Sequence, residues 1–556
     1  MMRRACAVSC ALAAALAGAT SVAEARAVSL TGTVRLAHFD MGPGEPSKRF
    51  WALEARPRVI RLEPGRVDLG PFSGRRVRVE GDLRGDRLAV RPGGVADDGP
   101  GPLRAASTNR GTAVVILRFP DAPDDPSWAP TREAARDAVF GSDKFSVRNY
   151  YATQTYGQVK LAGKIDPAGG DVFGPYDIPN PTHDPSCQFS QWSYDAAKAV
   201  QEKAGRDLYT YQTVILLFTT GRCGFAGLGG LGALTWINGL NRYTINHEIG
   251  HTFGAPHAST LRCRNGTTVV PLSATCDPYA EYGDPFDPMG SGGAFLPSVG
   301  EAVAYEMQPS RKLLMGALKA SDTRWANTPG KYVLAPLERA SGVRMLRLPD
   351  GRGSGRVFDL SLRRPIGAFD SNYLHPDAGN PAATKGVLVN WDKRTPGGEN
   401  SMLLDMTPAT GGGGVDPWTH LPTTGFEDAP LAAGRSWYDK RTGLTLTVNS
   451  VGDLSANVTV KYGRGEVDVA TPTVPGRPVA KVAAGKVTLT WTASADAWGV
   501  KKYVVRRNKL TLPAVTGTKL VDKPRAGATV TYTVRAVDAA GNVSPPSAPR
   551  TVKLPG

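Results

Sequence analysis

The chain has 556 residues, of which 41% are hydrophobic and 21% charged, with 64 glycines and 44 prolines. This is the composition of a globular protein with many turns and short strands, and its length calls for about three or four domains rather than one core. The formal net charge of +16 is spread without a run of five or six basic residues. No nucleic-acid module is therefore expected, while attraction to anionic cell walls, glycans or acidic proteins stays open.

The N-terminus reads "MMRRACAVSCALAAALAGATSVAEARA". Two arginines, an apolar run too short to span a bilayer and the small-residue site Ala23-Glu24-Ala25 predict a signal peptide over 1–25 and a secreted, extracellular protein without membrane insertion. Residues 26–105 follow as short alternating runs such as "VSLTGTVRLAHF" and "RRVRVEGDL", a small β-domain whose removal as a propeptide is left open. "GGVADDGPGPLRAASTNRG" lacks periodicity and reads as a linker.

From "TAVVILRF" (112–119) the texture changes. A buried strand, the helical pattern "PTREAARDAVF", the helix-then-strand pattern "SVRNYYATQTYGQVKLAGKI", the helix "SYDAAKAVQEKA" and the strand "YQTVILLFTT" predict a mixed α/β unit over 108–320. Strand-and-turn texture returns over 321–462, predicting a β-sandwich. After a proline-rich joint comes a last module over 470–556. There Trp491, Tyr503 and Tyr532 in "KVTLTWTASAD", "KKYVVRRN" and "TVTYTVRAVDAAGNVSPPSAP" are placed as in fibronectin type III domains, which this tail resembles.

Three of the seven histidines fall in "TINHEIGHTFGAPHAST". His247 and His251 stand at i and i+4, so a helix capped by Asn241 and running to about Phe253 sets both rings on one face. Gly254 suits a left-handed helix end, after which the chain reverses and His257 can approach the same ion. Three imidazoles leave a Zn²⁺ ion one open position. Glu248 is then placed beside the ion to accept the proton of a bound water.

The pattern at His247, Glu248, His251, Gly254 and His257 resembles that of the metzincin metalloproteases, and "YGDPFDPMGSGG" sets Met289 where that clan carries the methionine of its Met-turn. The helix-strand segment before it is most similar to the gametolysin-like branch over about 108–315. The resemblance implies a metzincin-like zinc protease core, one catalytic Zn²⁺, and a secreted zinc endopeptidase acting on protein or peptide substrate. The glycine-rich stretch 224–239 lies where metzincins carry the edge strand that pairs with substrate. The tyrosine that some branches carry two residues after the methionine is Ser291 here, and Tyr282 gains no support as a ligand.

The fold class expected is thus multidomain α+β, a mixed α/β core flanked by all-β domains, acting as a monomer. Of the six cysteines, Cys6 and Cys10 leave with the signal. Cys187, Cys223, Cys263 and Cys276 suit two disulfides, with proximity favouring Cys187–Cys223 and Cys263–Cys276 among three connectivities. A structural Ca²⁺ has no support. The rival reading is a secreted adhesin or a binder of cell-wall or matrix glycans, with its zinc site vestigial.

Overall fold

The computed structural model describes residues 25–39, 48–55, 58–69, 72, 76–84, 87–98, 109–120, 130–179, 189–219, 225–231, 233–296, 300–350, 355–370, 382–393, 401–408, 410 and 425–556. The predicted signal peptide, Ala25 apart, lies outside them. The chain folds as two compact units, 1–35 with 50–102 and 36–49 with 103–556.

In the first unit β1 (Arg26–Phe39), β2 (Lys48–Ala55), β3 (Arg58–Glu63), β4 (Arg76–Arg84) and β5 (Arg87–Asp97) close into a barrel in the order β1-β2-β3-β5-β4. β3 runs parallel to β5 and β4 closes on β1 antiparallel, an arrangement of the small five-stranded Greek-key barrels. Alternation dictates its lining: Val77 and Val79 point in while Arg76, Arg78 and Glu80 point out. The core is Val34, Leu53, Ile60, Leu62, Val77, Val79 and Leu88.

The second unit opens with a sheet in the order β10-β11-β9-β6-β7, β8 also pairing with β6. Its elements are β6 (Asn109–Arg118), α1 (Arg132–Phe140), α2 (Val147–Gln154), β7 (Lys160–Ala162), β8 (Asp171–Asp177), α3 (Phe189–Ala204), β9 (Thr213–Phe218), β10 (Gly227–Leu231), β11 (Leu234–Asn238) and α4 (Arg242–Thr252). The continuous apolar runs of β6 and β9 follow from burial on both faces. Val114, Ile116, Ile215 and Leu217 pack toward α1, α2 and α4. Val115, Leu117, Val214 and Leu216 pack toward Trp192, Ala196 and Val200 of α3.

Beyond α4, β12 (Ala258–Leu261) does not return to that sheet. It pairs in parallel with Ser401–Leu404, becoming an edge strand of the seven-stranded sheet that also contains Met345–Pro349, Arg356–Leu362 and Gly386–Lys393. A four-stranded sheet of Gly330–Leu334, Ser436–Asp439, Leu444–Val451 and Ala456–Tyr462 shares one core with it, from Leu346 and Phe358 to Leu446 and Val458. The sandwich read at 321–462 therefore draws a strand from before residue 320. The last module is two facing sheets, Val479–Ala483, Lys486–Thr490 and Lys519–Asp522 against Val500–Arg507, Leu510–Thr511, Thr529–Asp538 and Arg550–Lys553. They enclose Trp491, Tyr503 and Tyr532, and the Tyr532 hydroxyl donates to Asp522 at 2.6 Å.

The expected fold class, α+β about a metzincin-like core, is corrected. Among the described residues strand accounts for 43% and helix for 14%, so the structure is mostly β. The reason is physical: α3, at 16 residues, is a long helix in a chain whose other described length runs mainly in short strands. One helix-bearing sheet does not set the class of the whole.

Candidate metal centre

Helix α4 begins at Asn241, whose side chain accepts from the Thr244 N–H at 3.0 Å. It ends at Phe253, and Gly254 follows at φ +86°, a conformation open to glycine at little cost. Ile245 through Thr252 are all buried. Polar groups in such a helix must find partners, and the Tyr151 hydroxyl donates to the Asn246 carbonyl at 2.6 Å.

The structure brings His247, His251 and His257 together, with one ligand atom from each lying within 4.8 Å of the others. The rings are 6%, 1% and 0% exposed. Each Nδ1 faces an oxygen acceptor: Pro288 O at 2.6 Å for His247, Ala255 O at 2.8 Å for His251 and Glu281 Oε1 at 2.8 Å for His257. An Nδ1–H donated to each leaves each Nε2 as the lone-pair atom. The Nε2 atoms of His251 and His257 come within 3.1 Å. Buried lone pairs held this close, with their second nitrogens anchored, fit a divalent cation with nitrogen ligands such as Zn²⁺.

Glu248, 2% exposed, lies against the edge strand β10. A Cβ built on Gly227 would stand 2.5 Å from its Oε1, and one on Gly229 would stand 2.4 Å from its carbonyl oxygen. Gly227 and Gly229 therefore make room for α4.

Beneath the histidines runs the loop that carries Met289, which is fully buried. Its carbonyl accepts from Ala258 N–H at 2.8 Å and its N–H donates to Asp287 Oδ1 at 2.8 Å. Asp287 also accepts from Gln308 N–H at 2.7 Å. Arg311, on α5 (Pro309–Leu314), donates to the carbonyls of Pro256 at 3.1 Å and His257 at 2.8 Å. It thereby fixes the turn that delivers the third imidazole. Asp284, which accepts from the Gln308 side-chain amide, is pushed up to about 7 by burial, with the nearby Asp287 adding to the rise.

Tyr282 lies with its ring 4.1 Å from that of His257, and its backbone sits at φ +62°, uncommon for a bulky residue and a mark of local strain. Ser291 donates its N–H to Asp284 O. Cys263 and Cys276 are joined in a disulfide between directly paired strand residues. Cys187 and Cys223 lie outside the described residues, as do His183, His375, His420 and the side chain of His38. Glu281 and Arg311 carry no mark in the sequence. Neither stands at a spacing that relates it to the histidines, and only the fold brings them there.

No family model matches this chain. It is 44% identical over 262 residues to exoglucanase B of Cellulomonas fimi, covering 46% of this chain and 22% of the relative. Endoglucanase B of Cellulomonas fimi is 44% identical over 114 residues, 18% of this chain and 11% of the relative. Chitinase A1 of Niallia circulans is 42% identical over 88 residues, 16% of this chain and 13% of the relative. The chain thus spans less than a quarter of the length of each of these relatives. Among solved structures, the spore cortex lytic enzyme SleM of Clostridium perfringens is 17% identical over 21% of this chain and 38% of its own, with a TM-score of 0.16.

These comparisons correct the expectation of a metzincin of the gametolysin-like branch, and with it the zinc endopeptidase acting on protein or peptide substrate. The relatives are glucanases and chitinases, and they indicate no metalloprotease. The physical reason is the reach of the motif. Its spacing states that three imidazoles can meet, which they do, but not which bond or polymer the protein meets. No helix among the described residues is long and apolar enough to cross a membrane.

Proposed function

We propose that this chain is a secreted glycan-associated protein whose C-terminal β-modules attach it to a cellulose- or chitin-like polysaccharide. Its leader over 1–25 is removed on export, and His247, His251 and His257 hold one zinc ion. The observation that carries the reading is the 44% identity over 262 residues to an exoglucanase, together with shorter matches to an endoglucanase and a chitinase.

The zinc reading rests on the anchored Nδ1 atoms. Two carbonyls and a carboxylate face the three Nδ1 atoms, the outer contacts that orient histidine ligands toward a metal. When bound, the ion supplies Lewis acidity. Glu248, next to His247 on the helix, lies against β10.

The test is co-sedimentation of the full chain with microcrystalline cellulose and with chitin, alongside metal analysis after dialysis. Depletion from the supernatant by at least one polymer is expected. One zinc per chain is also expected, lost in His251→Ala. A chain that stays in the supernatant with both polymers overturns the glycan reading. A metal-free chain that takes up no added zinc overturns the site.

A further inference from the structure

The N-terminal barrel carries a row of arginines that its fold alone does not explain. Strand register sets Arg61 of β3 beside Arg87 of β5, and Arg87 beside Arg84 of β4. All three side chains are exposed, on the face opposite Leu62, Leu83 and Leu88, which pack in the barrel core. Three adjacent strands thus present one cation each at the same level. In the sequence these residues are scattered, and only the crossover that makes β3 and β5 neighbours lines them up.

Like charges directly opposite one another on a sheet destabilise it. One member of the row has a counter-charge, since Arg87 lies 3.5 Å from Glu63 with both side chains about half exposed. Arg61 and Arg84 make no ion pair with a described residue, whereas Arg91, further along β5, is held by Asp82 at 2.7 Å. Among the described residues the barrel therefore pairs the arginine beyond the row and gives two within it no counter-charge. Arg61 is also oriented. Its guanidinium lies 5.0 Å from the centroid of the Phe50 ring on β2, a stack that leaves the in-plane N–H groups able to donate.

We propose that this row is a binding face for an acidic polysaccharide, whose carboxylate, sulfate or phosphate groups meet Arg61, Arg84 and Arg87. Planar guanidiniums donate paired hydrogen bonds to such groups. Neighbouring strands are about 4.8 Å apart, so the three cations together span about the length of two sugar units rather than one small ion. The choice of a glycan over a nucleic acid rests on the extracellular, glycan-associated reading above. The face itself is independent of the modules proposed to hold cellulose or chitin.

The experiment uses the full chain and measures affinity for polygalacturonate, for neutral dextran and for an oligothymidylate of about 30 nucleotides, in 50 and 300 mM NaCl. Binding to polygalacturonate that weakens severalfold at the higher salt is expected, with none to dextran. Arg61→Ala/Arg84→Ala/Arg87→Ala should lower that affinity about tenfold or more, and Arg78→Ala, an exposed arginine of β4 outside the row, should leave it unchanged. Sedimentation with cellulose and chitin should be the same for all variants, so a failure here is distinct from a failure of the general glycan reading. Unchanged affinity in the triple variant, or an equal loss in Arg78→Ala, overturns the proposal. So does tighter, row-dependent binding to the oligothymidylate, which would make the face a nucleic-acid site. Should the triple variant fold poorly, Arg61→Ala and Arg84→Ala singly carry the same test, each with an expected loss of about twofold to fivefold.

Discussion

Gly250 lies between two ligands of the candidate metal centre, and replacing it with alanine sets two effects against each other. In a helix interior alanine is favoured over glycine by about 1 kcal/mol. The added Cβ, however, would stand 2.5 Å from the Met289 sulfur and 3.3 Å from its methyl carbon. Met289 is fully buried, so its thioether, though flexible, can turn away from the new methyl only into already packed surroundings. Overpacking of this kind costs about 1–3 kcal/mol. The net expectation for Gly250→Ala is a loss of up to about 2 kcal/mol, read as a lower urea midpoint at unchanged slope. A double-mutant cycle with Met289→Ala sharpens it. Removing the sulfur alone should cost about 2–5 kcal/mol through the cavity, and the new methyl should recover at least about 1 kcal/mol of that in the double variant. A stabilised Gly250→Ala protein, or two effects that simply add, would refute the claim that Met289 supports the helix at this point.

Glu281→Ala should weaken zinc binding about 10-fold to 100-fold in competition with a chromophoric chelator, because the His257 Nδ1–H loses its carboxylate partner; an unchanged affinity would remove Glu281 from the site. Asp284, lifted from the ordinary 3.8 to about 7, binds its proton more tightly folded than unfolded. Its contribution to stability is therefore full below about pH 4 and is lost as the pH rises through about 7. Asp284→Asn should flatten the decline in melting temperature over that window relative to wild type, and parallel curves would show that Asp284 does not titrate there. Replacing Cys263 and Cys276 by serine opens a cross-link with a sequence separation of 13 and should cost about 3 kcal/mol, checked by urea unfolding of the double variant beside reduced wild type.

Periodicity carried the local elements well, because a helix stripe or a buried run is written in consecutive residues. Asn241 caps α4, and Gly254 takes the left-handed turn that lets His257 come back toward His251. What the sequence could not display was set by long-range pairing. Glu281, 24 residues from His257, and Arg311, 54 residues away, have no spacing that marks them, and the arginine row exists only through the parallel pairing of β3 with β5. The balance of strand over helix is likewise hard to read from local patterns, since one long helical stretch is more conspicuous than many short strands. The largest correction concerns activity, where a short motif does not speak for the whole chain.

The strand that follows His257 is woven into the sheet of the next layer, with Ser401 N–H donating to the His257 carbonyl at 3.2 Å and Ala258–Leu261 lying along Ser401–Leu404. Truncating the chain near residue 320 would strip this segment of its neighbour and leave a bare strand edge prone to sticking to other chains. The histidine turn and the sandwich should consequently melt in one step. A pull applied through the sandwich would reach the histidine turn through main-chain hydrogen bonds rather than through a slack hinge.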